Sequence, residues 1–505
     1  MKAGCFLANF SGSSMKRNRA FNSVFLLIVL GLVTGCNSDG GTLYDGDSEP
    51  IREIGGSPVL PPSGDLSVSP LLLARSATIS GKRAVPMDFQ EVLLEISIDN
   101  SSNVSTGVAD IAFISYEDGY PYFLLDGTVV SARLNGASVS IVQTQDPDSL
   151  NSIRMVQLPV KAGANNRLEL SYELTSDAVS YRADGIGLVT AMADIDDGNF
   201  FEAYGPANFE DDQFRMKLRV NLSGVSSAHQ FFTNGRLTEL GGASWDVDFP
   251  AYFNSSAFYF HVTDTALAVR TGNYEGLTKN IPLTVYAADA ASADSAMNAL
   301  PGLFKELESA YGPYLHESFT AYISGSGGME HCGATITSLS ALGHELTHSW
   351  FGRGILPGGG ASGWFDESIA SWRDYGYQRA SGTALRSATN LATLSKFERF
   401  TPYNSYADGR TLMGEFDYLL AGKAGGLRAV LKEFFAMKKS QIIQTQDFLS
   451  YLASRSGQDL GWMFDRYVFG KSSAQAATDA KEVAPDSQPS MHPPALTRDD
   501  IERLR

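Results

Sequence analysis

Three side chains suited to hold a metal and one suited to move a proton lie close together in this sequence. His344-Glu345-Leu346-Thr347-His348 places two imidazoles four residues apart, so on a helix both project from one face, one turn apart. Glu345 sits between them, placed to accept a proton from water and not to ligate. Glu367, in Trp364-Phe365-Asp366-Glu367-Ser368-Ile369, follows His348 by 19 positions on the next expected helix and supplies a third ligand. Two imidazoles, one carboxylate and an open position form the donor set of a catalytic zinc site, whereas a structural site would use a fourth residue, usually cysteine. Such a site polarises a carbonyl and activates water, which is the chemistry of peptide or amide hydrolysis.

These residues need elements to hold them. From about 77 to 273 the chain alternates apolar and polar residues in short runs, such as Val92-Leu93-Leu94-Glu95-Ile96-Ser97-Ile98, broken by Asn, Asp and Gly turns. That pattern predicts an all-β sandwich or saddle. From about 274 to 471 the period turns helical after the strand Ile281 to Tyr286. Met297, Leu300, Leu303, Phe304, Leu307 and Tyr311 form one stripe, and further helices are expected near Leu339 to Phe351, Asp366 to Arg379, Leu412 to Leu420 and Leu427 to Met437. The chain therefore reads as multidomain α+β, with the ligands in its second domain.

The flanks have other compositions. Lys16, Arg17 and Arg19 precede the apolar run Val24 to Val33, which is short for a membrane span and ends in Val33-Thr34-Gly35-Cys36. Residues 1–35 are expected to be a lipoprotein signal peptide and Cys36 the lipidated mature N-terminus, tethering the protein to a bacterial envelope membrane outside the cytoplasm. Residues 36–76, rich in Gly, Ser, Asp and Pro, read as a flexible linker, and 472–505 as a tail. With Cys5 removed and Cys36 acylated, Cys332 has no intramolecular disulfide partner. The formal charge of −17 over 505 residues argues against a nucleic-acid partner.

The zinc motif continues Ser349-Trp350-Phe351-Gly352 and in this resembles the aminopeptidase-N and leukotriene-hydrolase group of gluzincins, departing from it at Arg353, where the group carries Asn. Upstream, Gly327-Gly328-Met329-Glu330-His331 resembles the Gly-Ala-Met-Glu-Asn segment of that group, and in its Gly-Gly-x-Glu-His form it is similar to glycyl aminopeptidases. The resemblance implies a thermolysin-like α/β zinc peptidase domain that binds one zinc ion and takes peptide substrates. It implies Glu330 as the anchor for the substrate's α-amino group, with Gly327, Gly328 and Met329 in the strand that meets the substrate backbone. It also implies a tyrosine before a Tyr-x-x-Gly turn as oxyanion stabiliser. Tyr406-Ala407-Asp408-Gly409 fits, with Asp408 where lysine is usual, and Tyr403 competes. Phe201-Glu202-Ala203 resembles a segment that adds a second amine-binding group, which would be Glu202. His331 reads as a supporting histidine and Cys332 as a small buried side chain. Removal of N-terminal residues is the expected activity. Cleavage within peptides, or a non-catalytic lipoprotein that binds through the same scaffold, are the alternatives.

Overall fold

The structure is a computed structural model. It describes residues 76–145, 152–193, 198–199, 201–208, 212–358, 360–380, 387–392 and 401–471. The leader with Cys36, the linker up to 75 and the tail from 472 lie outside these. All described residues belong to the unit Pro58–Arg505.

The first half is a stack of sheets. The largest has eight strands in the order Arg236–Glu239, Ser244–Phe249, Arg215–Ser223, Asp88–Asp99, Val104–Ile114, Asn165–Glu173, Thr128–Leu134 and Ala137–Ser138. Its central hairpin shows why the sequence alternates: Val92, Leu94, Ile96 and Ile98 are buried with Ala109, Ile111 and Phe113 across the ladder. Side chains of a strand point alternately to its two faces, so the core takes every second residue. A five-stranded sheet that includes Lys82–Pro86 and Tyr120–Leu124 completes the β domain's core.

A four-stranded sheet, Ser180–Tyr181, Ile186–Val189, Phe260–Thr263 and Gln230–Thr233, borders the second domain. Just beyond its last strand, Asn234 Nδ2 donates to the Cys332 carbonyl at 2.8 Å, and Thr320 Oγ1 donates to the Thr233 carbonyl at 3.3 Å. The β domain thus braces the strands that line the site.

The second domain carries a five-stranded sheet ordered Ala268–Glu275, Asn280–Ala287, Phe319–Ile323, Ala334–Thr337 and Gly328–His331, the last antiparallel at the edge. Its first strand begins at Ala268, ahead of the boundary at 274 that the helical period marks, because the hairpin partner of Asn280–Ala287 belongs to the same sheet. Helix α1 spans Ala290–Tyr311 and buries Ala293, Ala296, Leu300, Phe304, Leu307 and Tyr311, with Asp289 capping its start. Helices α2 (Leu342–His348) and α3 (Phe365–Asp374) carry the ligands; α4 (Ala407–Leu420), α5 (Leu427–Lys438) and α6 (Thr445–Ser456) enclose them. From Phe365 to Trp372 α3 is buried on every side, as expected of a helix wrapped by other elements and not lying on a surface.

Candidate active site

Helices α2 and α3 bring His344, His348 and Glu367 together, with one ligand atom of each within 4.8 Å of the others. His344 Nε2 lies 3.0 Å from Glu367 Oε2, and His348 Nε2 lies 3.7 Å from the same oxygen. Tetrahedral zinc ligands at roughly 2.0–2.1 Å from the ion are about 3.3 Å from one another, so the spacing fits zinc. Each imidazole is oriented through its other nitrogen: His344 Nδ1 meets Asp374 Oδ2 at 2.6 Å and His348 Nδ1 meets the Phe351 carbonyl at 3.2 Å. Held in this way, both rings direct Nε2 at the third ligand. The buried Nε2 of His348 and Oε2 of Glu345 have no hydrogen-bond partner, which a metal and its water would supply.

The supporting layer reaches α1. Arg373 donates from Nη1 to Asp374 Oδ1 at 3.1 Å and from Nε to Glu306 Oε1 at 2.9 Å, so α1, α3 and His344 are tied in one chain. Sequence reasoning missed Asp374 and Arg373. The signal was present, since Asp374 lies two turns after Glu367 on α3 and so faces the same way. Gly343 allows the contact: a Cβ there would stand 2.4 Å from Arg373 Nη1.

The electrostatics follow from crowding. Burial raises the Glu345 carboxyl well above its ordinary range, and Glu330, Glu367 and Asp374 add to it, with His344 opposing. Burial alone would lower the titration of His344, but Asp374 and Glu367 outweigh it and hold the ring well above the usual imidazole value. For Glu367, burial is outweighed by His348 and His344, and its carboxyl stays below the ordinary value. The site is built to receive positive charge.

Tyr406 precedes α4 and donates from its hydroxyl to Glu367 Oε1 at 2.9 Å, with its ring 6.2 Å from that of His344. Tyr403 is 77% exposed against 7% for Tyr406, and it is the Tyr406 hydroxyl that the fold brings to Glu367. Gly409, which the Tyr-x-x-Gly spacing singles out, lets α4 close on α3, since a Cβ there would lie 1.9 Å from Ser368 Oγ.

The edge strand Gly328–His331 lies against α2. A Cβ on Gly328 would fall 1.9 Å from Glu345 Oε1, so only glycine leaves room for that carboxylate, and Gly327 turns into the strand at φ +64°. Glu330 shares this face: its carboxylate, that of Glu345 and an His348 nitrogen lie within 4.8 Å of one another. Met329 points the other way. Its side chain packs with Val189, Tyr259, Tyr286 and Ile336, so its contribution to a substrate site is limited to backbone, as strand alternation requires.

Glu330 does not stand alone. Arg353 Nη2 donates to its Oε1 at 3.2 Å, inside a fully buried contact that the sequence marked only as a departure from a motif. His331 is buried beside Tyr259, their rings 5.1 Å apart, and burial drops its titration to about 3. Cys332 is fully buried and burial pushes its thiol up to about 12, which makes it an inert packing group. Glu202 is buried in the turn Phe201–Ala203 and belongs to neither metal-capable cluster among the described residues.

No protein-family model and no curated protein matches the sequence. Solved structures do. The M1 zinc metallopeptidase of Deinococcus radiodurans superposes with a TM-score of 0.58 at 16% identity, covering 79% of this chain and 97% of that one. Legionella pneumophila aminopeptidase A, in complex with aspartic acid, gives 0.58 at 14% identity over 76% of this chain and 49% of that one. Yeast LTA4 hydrolase gives 0.56 at 11% identity over 77% and 69%. A variant of the Deinococcus enzyme is described with a Tyr-Ser-Ala substrate bound. At these identities what is shared is architecture: this chain has the fold of the M1 zinc metallopeptidases, a β domain followed by a helix-rich domain.

Proposed function

We propose that this protein is a zinc-dependent aminopeptidase that removes N-terminal residues from peptides. The observation that carries the reading is the convergence of His344, His348 and Glu367 with Glu345 and the Tyr406 hydroxyl, beside an edge strand that presents Glu330. The solved neighbours bound to a tripeptide and to an amino acid accord with this reading.

Zinc held by His344, His348 and Glu367 would supply Lewis acidity and an acidified water. The chain's own groups do the rest. The edge of Gly328–His331 pairs with the extended substrate backbone, and the missing side chain at Gly328 lets the scissile bond approach Glu345. Glu345 accepts a proton from the attacking water and returns it to the departing amine. Tyr406 turns its hydroxyl from Glu367 to the carbonyl oxygen as charge develops there. Glu330 holds the substrate's α-amino group, which places the first peptide bond at Glu345.

The protein works outside the cytoplasm, on a membrane anchor at Cys36. What supports this is the basic stretch Lys16 to Arg19, the short apolar run and the Val33-Thr34-Gly35-Cys36 ending. Labelled palmitate incorporated in a bacterial host, and lost in Cys36→Ser, tests it; labelling that persists in the variant rejects Cys36 as the anchor.

Hydrolysis of aminoacyl fluorogenic amides by the zinc-loaded protein, beside a chelated sample and Glu345→Gln, tests the activity. Turnover that disappears in both is expected. Turnover that survives Glu345→Gln would remove Glu345 from the mechanism, and a zinc-loaded protein inert to every amide would favour a binding role.

A further inference from the structure

One buried charged pair joins the strand Gly328–His331 to the turn after α2. Arg353, in the turn after α2, is 1% exposed and uses all three faces of its guanidinium. Nη2 donates to Glu330 Oε1 at 3.2 Å, Nε to the Glu330 carbonyl at 3.1 Å, and Nη1 to Ser256 Oγ at 2.6 Å. The turn that delivers it is closed by Arg353 N bonding the His348 carbonyl at 2.8 Å and Gly352 N bonding the Ile355 carbonyl at 2.9 Å. Gly352 sits there at φ +118°, a conformation that glycine tolerates and other residues rarely adopt. Anchored on both domains, the guanidinium cannot swing aside for a second cation without leaving buried donors unsatisfied.

We infer that Arg353 is a specificity-determining residue: it tempers the hold of Glu330 on an N-terminal ammonium, so that peptides with neutral, acylated N-termini are substrates as well. The inference rests on the aminopeptidase reading. An ammonium that reaches Glu330 meets a carboxylate whose charge is already offset by a guanidinium one hydrogen bond away. With the two cations about 5 Å apart inside a protein, their repulsion offsets roughly two-thirds of the attraction of either for the carboxylate at hydrogen-bond distance. A neutral acetamide meets no such repulsion. Glu367 faces His344 and His348, with which it would hold the metal, and Glu345 lies on the same face as Glu330, within 4.8 Å of it and of His348. Among the described residues, the ion pair that an N-terminus meets at Glu330 is the one with Arg353.

The test compares leucyl-p-nitroanilide with acetyl-leucyl-p-nitroanilide on zinc-loaded full chain, as kcat/KM. The wild-type protein is expected to favour the free amine by no more than about tenfold, a small fraction of what an unopposed buried carboxylate would supply. Arg353→Gln is expected to raise that ratio about tenfold or more through a lower KM for the free amine with kcat little changed, a split that a merely structural role would not produce. A wild-type preference above about tenfold, or a ratio that stays level or falls in Arg353→Gln, overturns the inference and leaves the aminopeptidase reading in place. If Arg353→Gln does not fold, the wild-type ratio decides alone. Hydrolysis of neither anilide defeats the reading and the inference together.

Discussion

The metal face and the substrate strand of this cleft are built on different principles. His344, His348 and Glu367 come from two helices close in sequence, and helical spacing alone sets the imidazoles one turn apart. Glu330 comes from an edge strand whose environment is assembled from afar: Arg353 is 23 positions away and Ser256 belongs to the other domain. A site made by local periodicity announces itself as a motif. One made by tertiary packing appears in sequence as an unexplained residue.

The sharpest way to break this comparison is to attack the metal face. Glu345→Gln should retain zinc and fold while kcat/KM falls by roughly 10³-fold or more, because the proton acceptor is gone; metal analysis and kinetics on one sample check it. Tyr406→Phe comes next, with kcat lowered about 10²- to 10³-fold and KM little moved, as expected for a donor that acts on developing charge.

Gly328→Ala joins the two regions. Its Cβ would displace the Glu345 carboxylate, so turnover should drop by roughly 10²-fold with zinc content unchanged, since an ångström of misplacement is enough for that. Equal loss of zinc and activity would show that the strand supports the metal and not the base. Tyr403→Ala should change kcat/KM less than about twofold, given its exposure; a larger loss would return it to contention with Tyr406.

A smaller effect concerns pH. Burial lowers the titration of His261 and His316 to about 3 in the folded chain, against about 6.5 when unfolded. The unfolded chain binds more protons between these values, so stability is full above pH 6.5 and is lost as pH falls toward 3, at up to about 1.4 kcal/mol per pH unit for each group. Thermal unfolding between pH 7 and 4 should show the slope, reduced in His261→Gln. An unchanged slope would mean that His261 does not contribute.

Much of the fold was legible because its signals are local. The stripe Leu300, Phe304, Leu307 and Tyr311 reads as a helix from spacing, and Val92 to Ile98 as a strand from alternation. Helix α6 escaped because Gln444, an uncommon N-cap, opens its capping box with Asp447. Met329 shows the limit of motif reasoning: the segment named it, but strand alternation turns its side chain into the core. The contact of Arg353 with Glu330 has no periodic signature, since it depends on a turn and on the neighbouring domain.

The central claim is that His344, His348 and Glu367 hold one zinc ion. X-ray absorption at the zinc edge, with metal content measured on the same purified protein, tests this most directly. One zinc per chain in a shell of nitrogen and oxygen at about 2.0–2.1 Å, without sulfur and lost in Glu367→Ala, is the predicted result. A sulfur ligand, or a zinc shell untouched by that substitution, would contradict it.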